Sequence, residues 1–191
     1  MSERGYLDLA RFLVKHGANL TAQDWRRSTP LHLASERGHL DLARFLVEHG
    51  ANAAAQDHGG LTPLHLASQG GHLNLARFLA KYGGNPTAQD QRGSTPLHLA
   101  AQGGYLDRAR FLVEHGSDVV ARDQDGSTPY HLASERGHID LARFLVEHGS
   151  SGPLWVDSAP SDVTRGPPQS STASTQEPSL GYMQIQRSTL T

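Results

Sequence analysis

Apolar side chains recur at three- and four-residue spacing along this chain, the pattern of a helix with one buried face. One such stretch contains Leu40, Leu42, Ala43, Leu46 and Val47, and Gly50 follows where the helix is expected to stop. The same pattern occurs five times and predicts helices over residues 6–16, 39–49, 72–82, 105–115 and 138–148.

A shorter helix is predicted ahead of four of these stretches. Thr29 suits its N-cap and Pro30 its first position, where no N–H partner is needed. Leu31, Leu33 and Ala34 give this helix an apolar face, and Gly38 would end it in the left-handed conformation. The hexapeptide Thr-Pro-Leu-His-Leu-Ala begins at Thr29, Thr62 and Thr95, and the near copy Thr-Pro-Tyr-His-Leu-Ala begins at Thr128.

The interval between these copies is 33 residues each time. The predicted unit is therefore a helix, a turn, a second helix and a finger-like loop whose Asn, Asp and Gly residues favour turns. A unit of this length cannot bury its own apolar face, so successive units must stack into a solenoid. The first unit opens directly on a second helix, so its first helix is expected to be missing.

The full pattern is Asp-x-x-Gly-x-Thr-Pro-Leu-His-Leu-Ala, then Gly-His-Leu-Asp, then Gly-Ala-Asn, and it resembles the ankyrin repeat. The resemblance covers residues 1–151, as four full repeats and a truncated first one. It implies an all-α solenoid of stacked antiparallel helix pairs, with β-turn fingers and a concave groove. It also implies a non-catalytic binding module or scaffold for a protein partner, whose identity stays open.

In ankyrin-like domains, partner contacts usually come from the finger tips and the inner face of the first helices. The resemblance thus gives these candidate partner-binding residues: Trp25, Arg26, Ser28, Glu36, Arg37, His58, Leu61, Tyr82, Gln91, Arg92, Gln102, Gln124, Asp125, Glu135 and Arg136. Because Trp, Tyr and Arg are common interface hot spots, Trp25, Arg26, Tyr82 and Arg92 are the expected anchors. Trp25 is either such an anchor or a shield for an exposed end of the stack. Most of the remaining groove is expected to be small and polar.

A second interpretation is a structural fragment of a longer array that self-associates through uncapped ends. Residues 152–191 are rich in Ser, Thr, Pro and Gln and are predicted to form a disordered tail, because such a composition buries too little apolar surface. Within this tail, Leu154, Trp155 and Val156 form an apolar cluster. We expect this cluster to fold back over Leu141, Leu145 and Val146 as a cap.

Twelve histidines are present, which raises the question of a metal site. His32, His65, His98 and His131 are one position seen four times, on helices expected to pack about 8–10 Å apart, whereas zinc binds nitrogen at about 2.0–2.1 Å. The resemblance implies instead a structural hydrogen-bonding role. Neither a nucleophile elbow nor a phosphate-binding glycine loop is present, so we expect no enzymatic activity, cofactor, metal or small-molecule substrate.

Composition narrows the partner class further. The net charge of −2 gives no indication of a basic surface that would bind nucleic acid or an anionic membrane. There is no cysteine, and no apolar run approaches the roughly 18 residues of a membrane span. These features predict an intracellular protein, cytoplasmic or nuclear.

Two positions depart from the repeat. Arg27 replaces the finger glycine of the other repeats and would be strained if that turn needs a positive φ. Arg108 replaces a leucine on a buried stripe, so we expect it to reach solvent or pair with a carboxylate, and to mark the weakest joint of the stack.

The ladder of second-helix arginines, such as Arg44, is expected to be neutralised by an aspartate three residues earlier, such as Asp41.

Overall fold

The computed structural model describes residues 3–149, and the burial of side chains from residue 6 onward. Within this range the chain is helical, without β-strands. The helices are α1 (Glu3–Lys15), α2 (Pro30–Arg37), α3 (Leu40–Glu48), α4 (Pro63–Gln69), α5 (Leu73–Lys81), α6 (Pro96–Gln102), α7 (Leu106–Glu114), α8 (Pro129–Glu135) and α9 (Ile139–Gly149). None of them is both long enough and apolar enough to cross a bilayer. The predicted tail and the 151/152 boundary lie outside the described residues.

The first helices, α2, α4, α6 and α8, begin as the sequence predicts. Thr29 is the N-cap of α2 in extended backbone, and Pro30 opens the helix. At the other end of α2, Gly38 takes a φ of 75°, and its N–H bonds to carbonyls of the last turn. Local sequence therefore sets both ends of this helix.

The second helices are α1, α3, α5, α7 and α9. The core of α3 begins one residue later and ends one residue earlier than the 39–49 prediction, because His39 and His49 act as its caps. In α1 the difference is larger: the helix starts at Glu3, and Gly5 is helical where Gly38 takes a positive φ.

The helices stack in two rows. Each first helix packs on the next first helix, each second helix packs on the next second helix, and the two helices of each repeat pack on each other. The interface is lined by fully buried leucines and alanines such as Leu46, Ala76, Leu79 and Leu112. The core is thus a continuous seam between repeats, as the 33-residue period requires.

A second contact between repeats involves the turn glycines Gly38, Gly71, Gly104 and Gly137, which we call glycine sockets. All four have positive φ. A Cβ added at Gly38 would clash with the His72 ring of the next repeat. At Gly71 and Gly104 the added atom would meet the rings of Tyr105 and His138. Glycine is therefore required both by backbone conformation and by the ring that fills the space beside it.

Candidate partner-binding surface

The fingers are residues 24–28, 57–61, 90–94 and 123–127, and each turns on its first residue, an aspartate. Asp57 Oδ1 accepts the backbone N–H groups of Gly59 at 2.8 Å and Leu61 at 2.9 Å. Asp24, Asp90 and Asp123 accept the equivalent pairs of N–H groups at 2.8–3.0 Å. These bonds hold every finger in one backbone conformation.

The first finger contains the strain predicted for Arg27. This residue has a φ of 60°, where Gly60, Gly93 and Gly126 have 77°, 74° and 76°. A side chain is disfavoured in this left-handed region. The turn keeps its form nonetheless, because Asp24 still accepts the N–H groups of Arg26 and Ser28 at 2.8 Å.

Successive fingers are joined through their backbones. The bonds run from His58 N–H to the Arg26 carbonyl at 2.7 Å, from Gln91 N–H to the Gly59 carbonyl at 2.8 Å, and from Gln124 N–H to the Arg92 carbonyl at 2.8 Å. In addition, the Gln124 side-chain Nε2 donates to the Gln91 carbonyl at 2.7 Å. The four fingers therefore form one continuous surface rather than independent loops.

Buried histidines fix the fingers to the helices. In α4, the N–H and hydroxyl of Thr62 lie 3.1 Å and 2.8 Å from His65 Nδ1, so this nitrogen is the acceptor. His65 Nε2 then carries the hydrogen and donates to the Ser94 carbonyl of the next finger at 3.1 Å. His32 and His98 make the same bridge to the Leu61 and Ser127 carbonyls. This histidine thus has the structural hydrogen-bonding role that the resemblance implied.

The protonation state of these histidines follows from their burial. Burial lowers the pKa of His32, His65 and His98, and the bond to the finger carbonyl opposes this only in part. The imidazoles are therefore neutral at pH 7, which matches their accepting Nδ1. Among the described residues, no group of three or more His, Cys, Asp or Glu side chains is placed to hold a metal ion.

The finger tips combine this constant frame with varied side chains. Trp25 is 82% exposed, and the guanidinium of Arg26 lies 4.4 Å from the centre of its ring. The equivalent positions in the other fingers hold the exposed residues His58, Gln91 and Gln124. Of the predicted partner-binding residues, Ser28, Leu61 and Gln102 are half-buried and the others are exposed.

The predicted first-helix residues form a second group. Glu36, Arg37, Gln102 and Glu135 end their helices, and Arg136 follows directly as a C-cap. They therefore lie roughly 10 Å along the helix axis from the N-caps that carry the fingers. The structure thus divides the predicted set into a row of finger tips and a row of helix ends.

Between these two rows lies a leucine row, Leu33, Leu66, Leu99 and Leu132, whose role sequence reasoning missed. Leu33 was expected in the core beside Leu31, yet it is 48% exposed while Leu31 is completely buried. The other three leucines are half-buried. Residues i and i+2 of an α-helix are separated by about 200° around its axis, so Leu33 lies on the opposite side of α2 from Leu31. Helical spacing could therefore have predicted its exposure. The expectation of a mostly small, polar groove was therefore wrong.

Tyr82 lies outside the fingers, which hold the other three predicted anchors. It is the C-cap of α5, in the row of second helices, and its ring stacks on Phe78 with 4.6 Å between the ring centres. His49, His115 and His148 stack in the same way on the phenylalanine four residues earlier. The structure thus places Tyr82 in a helix-capping row.

The second-helix arginines are arranged differently from the prediction. The guanidinium of Arg44 lies 5.8 Å from the centre of the Phe78 ring in the next repeat. Arg77 and Arg110 lie over Phe111 and Phe144 at 5.8 Å and 5.2 Å. These arginines therefore cover aromatic rings of the following repeat, a weakly favourable contact, rather than only balancing aspartates.

Arg108 also departs from the prediction. It is only 2% exposed, so it does not reach solvent, and the partners that the described part of the chain offers it are Ser68 and Tyr105 rather than a carboxylate. Its Nη1 donates to the Ser68 carbonyl at 2.7 Å, and its guanidinium lies 4.6 Å from the centre of the Tyr105 ring. Burial lowers the pKa of Arg108 to about 10, so it stays charged at pH 7. Arg108 Nε and Ser68 Oγ are buried and have no hydrogen-bond partner among the described residues.

A family model described as ankyrin repeats (3 copies) matches residues 1–90 and 80–153. The chain belongs to the ankyrin repeat family. Proteins of this family are generally protein–protein interaction modules and typically non-catalytic. A search of curated proteins found no match to this chain.

Proposed function

We propose that this ankyrin repeat chain binds a protein partner through its finger tips, leucine row and first-helix ends. The observation that carries the proposal is the contrast between frame and tip. Asp24, Asp57, Asp90 and Asp123 repeat the same turn, whereas the residue after each aspartate changes between tryptophan, histidine and glutamine. Varied side chains on a rigid scaffold suit recognition, because little conformational entropy is lost on binding.

The surface also suggests the kind of partner. The leucine row supplies apolar area, and Trp25 with Arg26 supplies the residue types that dominate binding energy at interfaces. Glu36 and Arg37 at a helix end and Arg92 at a finger tip add exposed charges of both signs. A partner with an apolar centre and a polar rim fits this arrangement better than a uniformly charged ligand.

The test is a pull-down from an extract of the native cell, read by mass spectrometry. A finger variant, Trp25→Ala with Arg92→Glu, changes exposed side chains and leaves the finger hydrogen bonds in place. Tyr82→Ala is the matched control, since it removes an exposed aromatic ring from the row of second helices. We expect a partner that wild type and the control retain and the finger variant loses. Equal recovery by all three proteins would refute the proposed surface.

Self-association is the second candidate, and an observation on α1 supports it. Leu9, Phe12 and Leu13 lie on one helical face and are 45%, 59% and 45% exposed. Such a patch promotes association. Sedimentation equilibrium would then give a mass that rises with concentration and falls in Phe12→Glu. A monomer at all concentrations would exclude this candidate without affecting the first.

A further inference from the structure

The first finger differs from the other three in charge. Its sequence, Asp-Trp-Arg-Arg-Ser, contains two arginines and one aspartate, so its net charge is +1. The same count, with histidine neutral, gives −1 for residues 57–61, 0 for residues 90–94 and −2 for residues 123–127. The finger row is therefore positive at its first finger and most negative at its fourth.

Both arginines of the first finger, Arg26 and Arg27, are exposed. The contact that the described part of the chain offers the Arg26 guanidinium is the Trp25 ring, with 4.4 Å to its centre, rather than a carboxylate. The acidic residue of the finger is Asp24, whose Oδ1 accepts the backbone N–H groups of Arg26 and Ser28 at 2.8 Å. The finger therefore holds two exposed guanidiniums beside a carboxylate that is bonded to the backbone.

Arg27 places its charge at a position that disfavours a side chain. Its φ of 60° lies in the left-handed region, where Gly60, Gly93 and Gly126 stand in the other fingers. In the second finger a side chain would also be crowded, because a Cβ added at Gly60 would lie 2.9 Å from the backbone nitrogen of Gln91. A strained residue of this kind motivates a hypothesis of function. What the strained turn retains here is an exposed positive charge.

Exposed apolar side chains lie at the same end of the surface. Trp25 stands next to the two arginines in the sequence, and it is 82% exposed. Leu33 follows the N-cap of α2, Thr29, by four residues, and it is the most exposed member of the leucine row. The first finger and the start of α2 thus combine positive charge with exposed apolar area.

We propose that the first finger binds an acidic segment of a protein partner. A carboxylate of this segment lies against Arg26 and Arg27, because a guanidinium and a carboxylate form strong charge-assisted hydrogen bonds. An adjacent apolar side chain of the partner packs on Trp25 and Leu33. Because like charges repel, the acidic part of the segment lies away from Asp125 in the fourth finger. This inference rests on the partner-binding surface proposed above, and it adds the chemical class and the direction of the bound segment.

Selection from a random dodecapeptide library on the full-length chain tests the class of ligand. Helices that pack about 8–10 Å apart place the four fingers over roughly 30 Å. Twelve extended residues reach about 40 Å, so one peptide can span the row. We expect the enriched peptides to combine Asp or Glu with a neighbouring aliphatic or aromatic residue. Enrichment of basic peptides, of uncharged peptides or of none would overturn the proposal.

Charge variants locate the acidic part of the ligand. The most enriched peptide, labelled with fluorescein, is titrated with each variant and followed by anisotropy. Arg26→Glu should raise the Kd at least about tenfold, because it replaces an attractive charge by a repulsive one. The matched control, Arg143→Glu, makes the same charge change at an exposed residue of α9 and should leave the Kd unchanged. An equal effect of the two variants, or no effect of Arg26→Glu, would overturn the proposal.

Arg27→Gly separates recognition from folding. Glycine relieves the positive φ, so the melting temperature should rise. The affinity for the same peptide should fall, because one guanidinium is lost, and the fall should be smaller in high salt, which screens exposed charges. Unchanged affinity in Arg27→Gly would contradict the part of the proposal that pairs Arg27 with the ligand.

The apolar variants Trp25→Ala and Leu33→Ala distinguish this inference from the proposed surface on which it rests. If uncharged peptides are enriched and both variants lose them, the acidic ligand is wrong and the partner-binding surface stands. If acidic peptides bind equally to wild type and to both apolar variants, the first-finger end of the surface is wrong as well. Loss of acidic peptides in both apolar variants and in Arg26→Glu is the expected result.

Discussion

Two neighbouring joints of the stack solve the same packing problem with different chemistry. Where α8 and α9 pack on α6 and α7, His138 fills the Gly104 socket and the apolar Leu141 is 2% exposed. Where α6 and α7 pack on α4 and α5, the same positions hold Tyr105 and Arg108, and Arg108 is also 2% exposed. The backbone geometry is shared, so the comparison shows how a tyrosine and a buried arginine replace a histidine and a leucine.

The two replacements in the second joint act together. His138 donates to the Gln102 carbonyl at 3.2 Å, whereas at the other joint Arg108 donates to the Ser68 carbonyl at 2.7 Å. The Tyr105 ring fills the socket and also lies against the guanidinium. The positive charge of Arg108 lies near the C-terminus of α4, where it interacts favourably with the helix dipole. The charge of Arg108 is thus partly compensated, although within the described part of the chain its Nε and Ser68 Oγ have no hydrogen-bond partner.

Moving the arginine to the other joint should give the largest effect. Leu141→Arg buries a charge beside His138 instead of a tyrosine, so we expect a loss of about 3 kcal/mol in the free energy of unfolding. Adding His138→Tyr should recover part of this loss if the tyrosine and arginine act as a unit. Urea denaturation followed by circular dichroism measures both variants. Equal stabilities for single and double variants would show that the tyrosine contributes nothing.

Restoring the apolar residue should have a smaller, opposite effect. Arg108→Leu removes a buried Nε that lacks a partner, so we expect a gain of about 1–2 kcal/mol and a higher melting temperature. Arg110→Leu is the matched control, because Arg110 is exposed on the same helix and should have little influence. A melting temperature that falls or does not change in Arg108→Leu would refute the weakest-joint hypothesis.

The smallest expected difference between the two joints is in how stability depends on pH, because both joints contain the same histidine bridge. Burial lowers the pKa of His65 and His98 in the folded chain, so the unfolded chain binds more protons as the pH falls below about 6.5. The stability that comes from keeping these histidines neutral is fully present above that pH. It decreases as the pH falls further, until the lowered pKa is reached. Each buried histidine contributes at most about 1.4 kcal/mol per pH unit in this window.

Unfolding free energies measured between pH 7 and 5 check this expectation. His65→Gln and His98→Gln should each reduce the pH slope, and by the same amount, whatever their effect on stability at pH 7. Unequal reductions would mean that the Arg108 charge, in the joint that His65 bridges, influences its histidine. The comparison between joints would then extend beyond packing.

Much of this fold was predictable because its determinants are local. Thr29 and Pro30 open a helix and Gly38 ends it through backbone preferences that hold wherever the sequence stands. The exposure of Leu33 was also accessible in principle, since helical spacing sets it opposite Leu31. The finger strain at Arg27 followed from comparing repeats, because one turn requires the same φ in every copy.

Contacts between repeats were not predictable in the same way. The sequence determined the period, the helix pairs and the finger turns, since each depends on residues close together in the chain. Only the tertiary structure decided that Arg108 is buried against Ser68 and Tyr105, that Arg44 covers Phe78, and that the Tyr82 ring packs on Phe78. These partners stand 40, 3, 34 and 4 residues apart. Even the close ones depend on which face the stack buries, because the packing of a whole neighbouring repeat sets the solvent exposure and hydrogen bonds of each side chain.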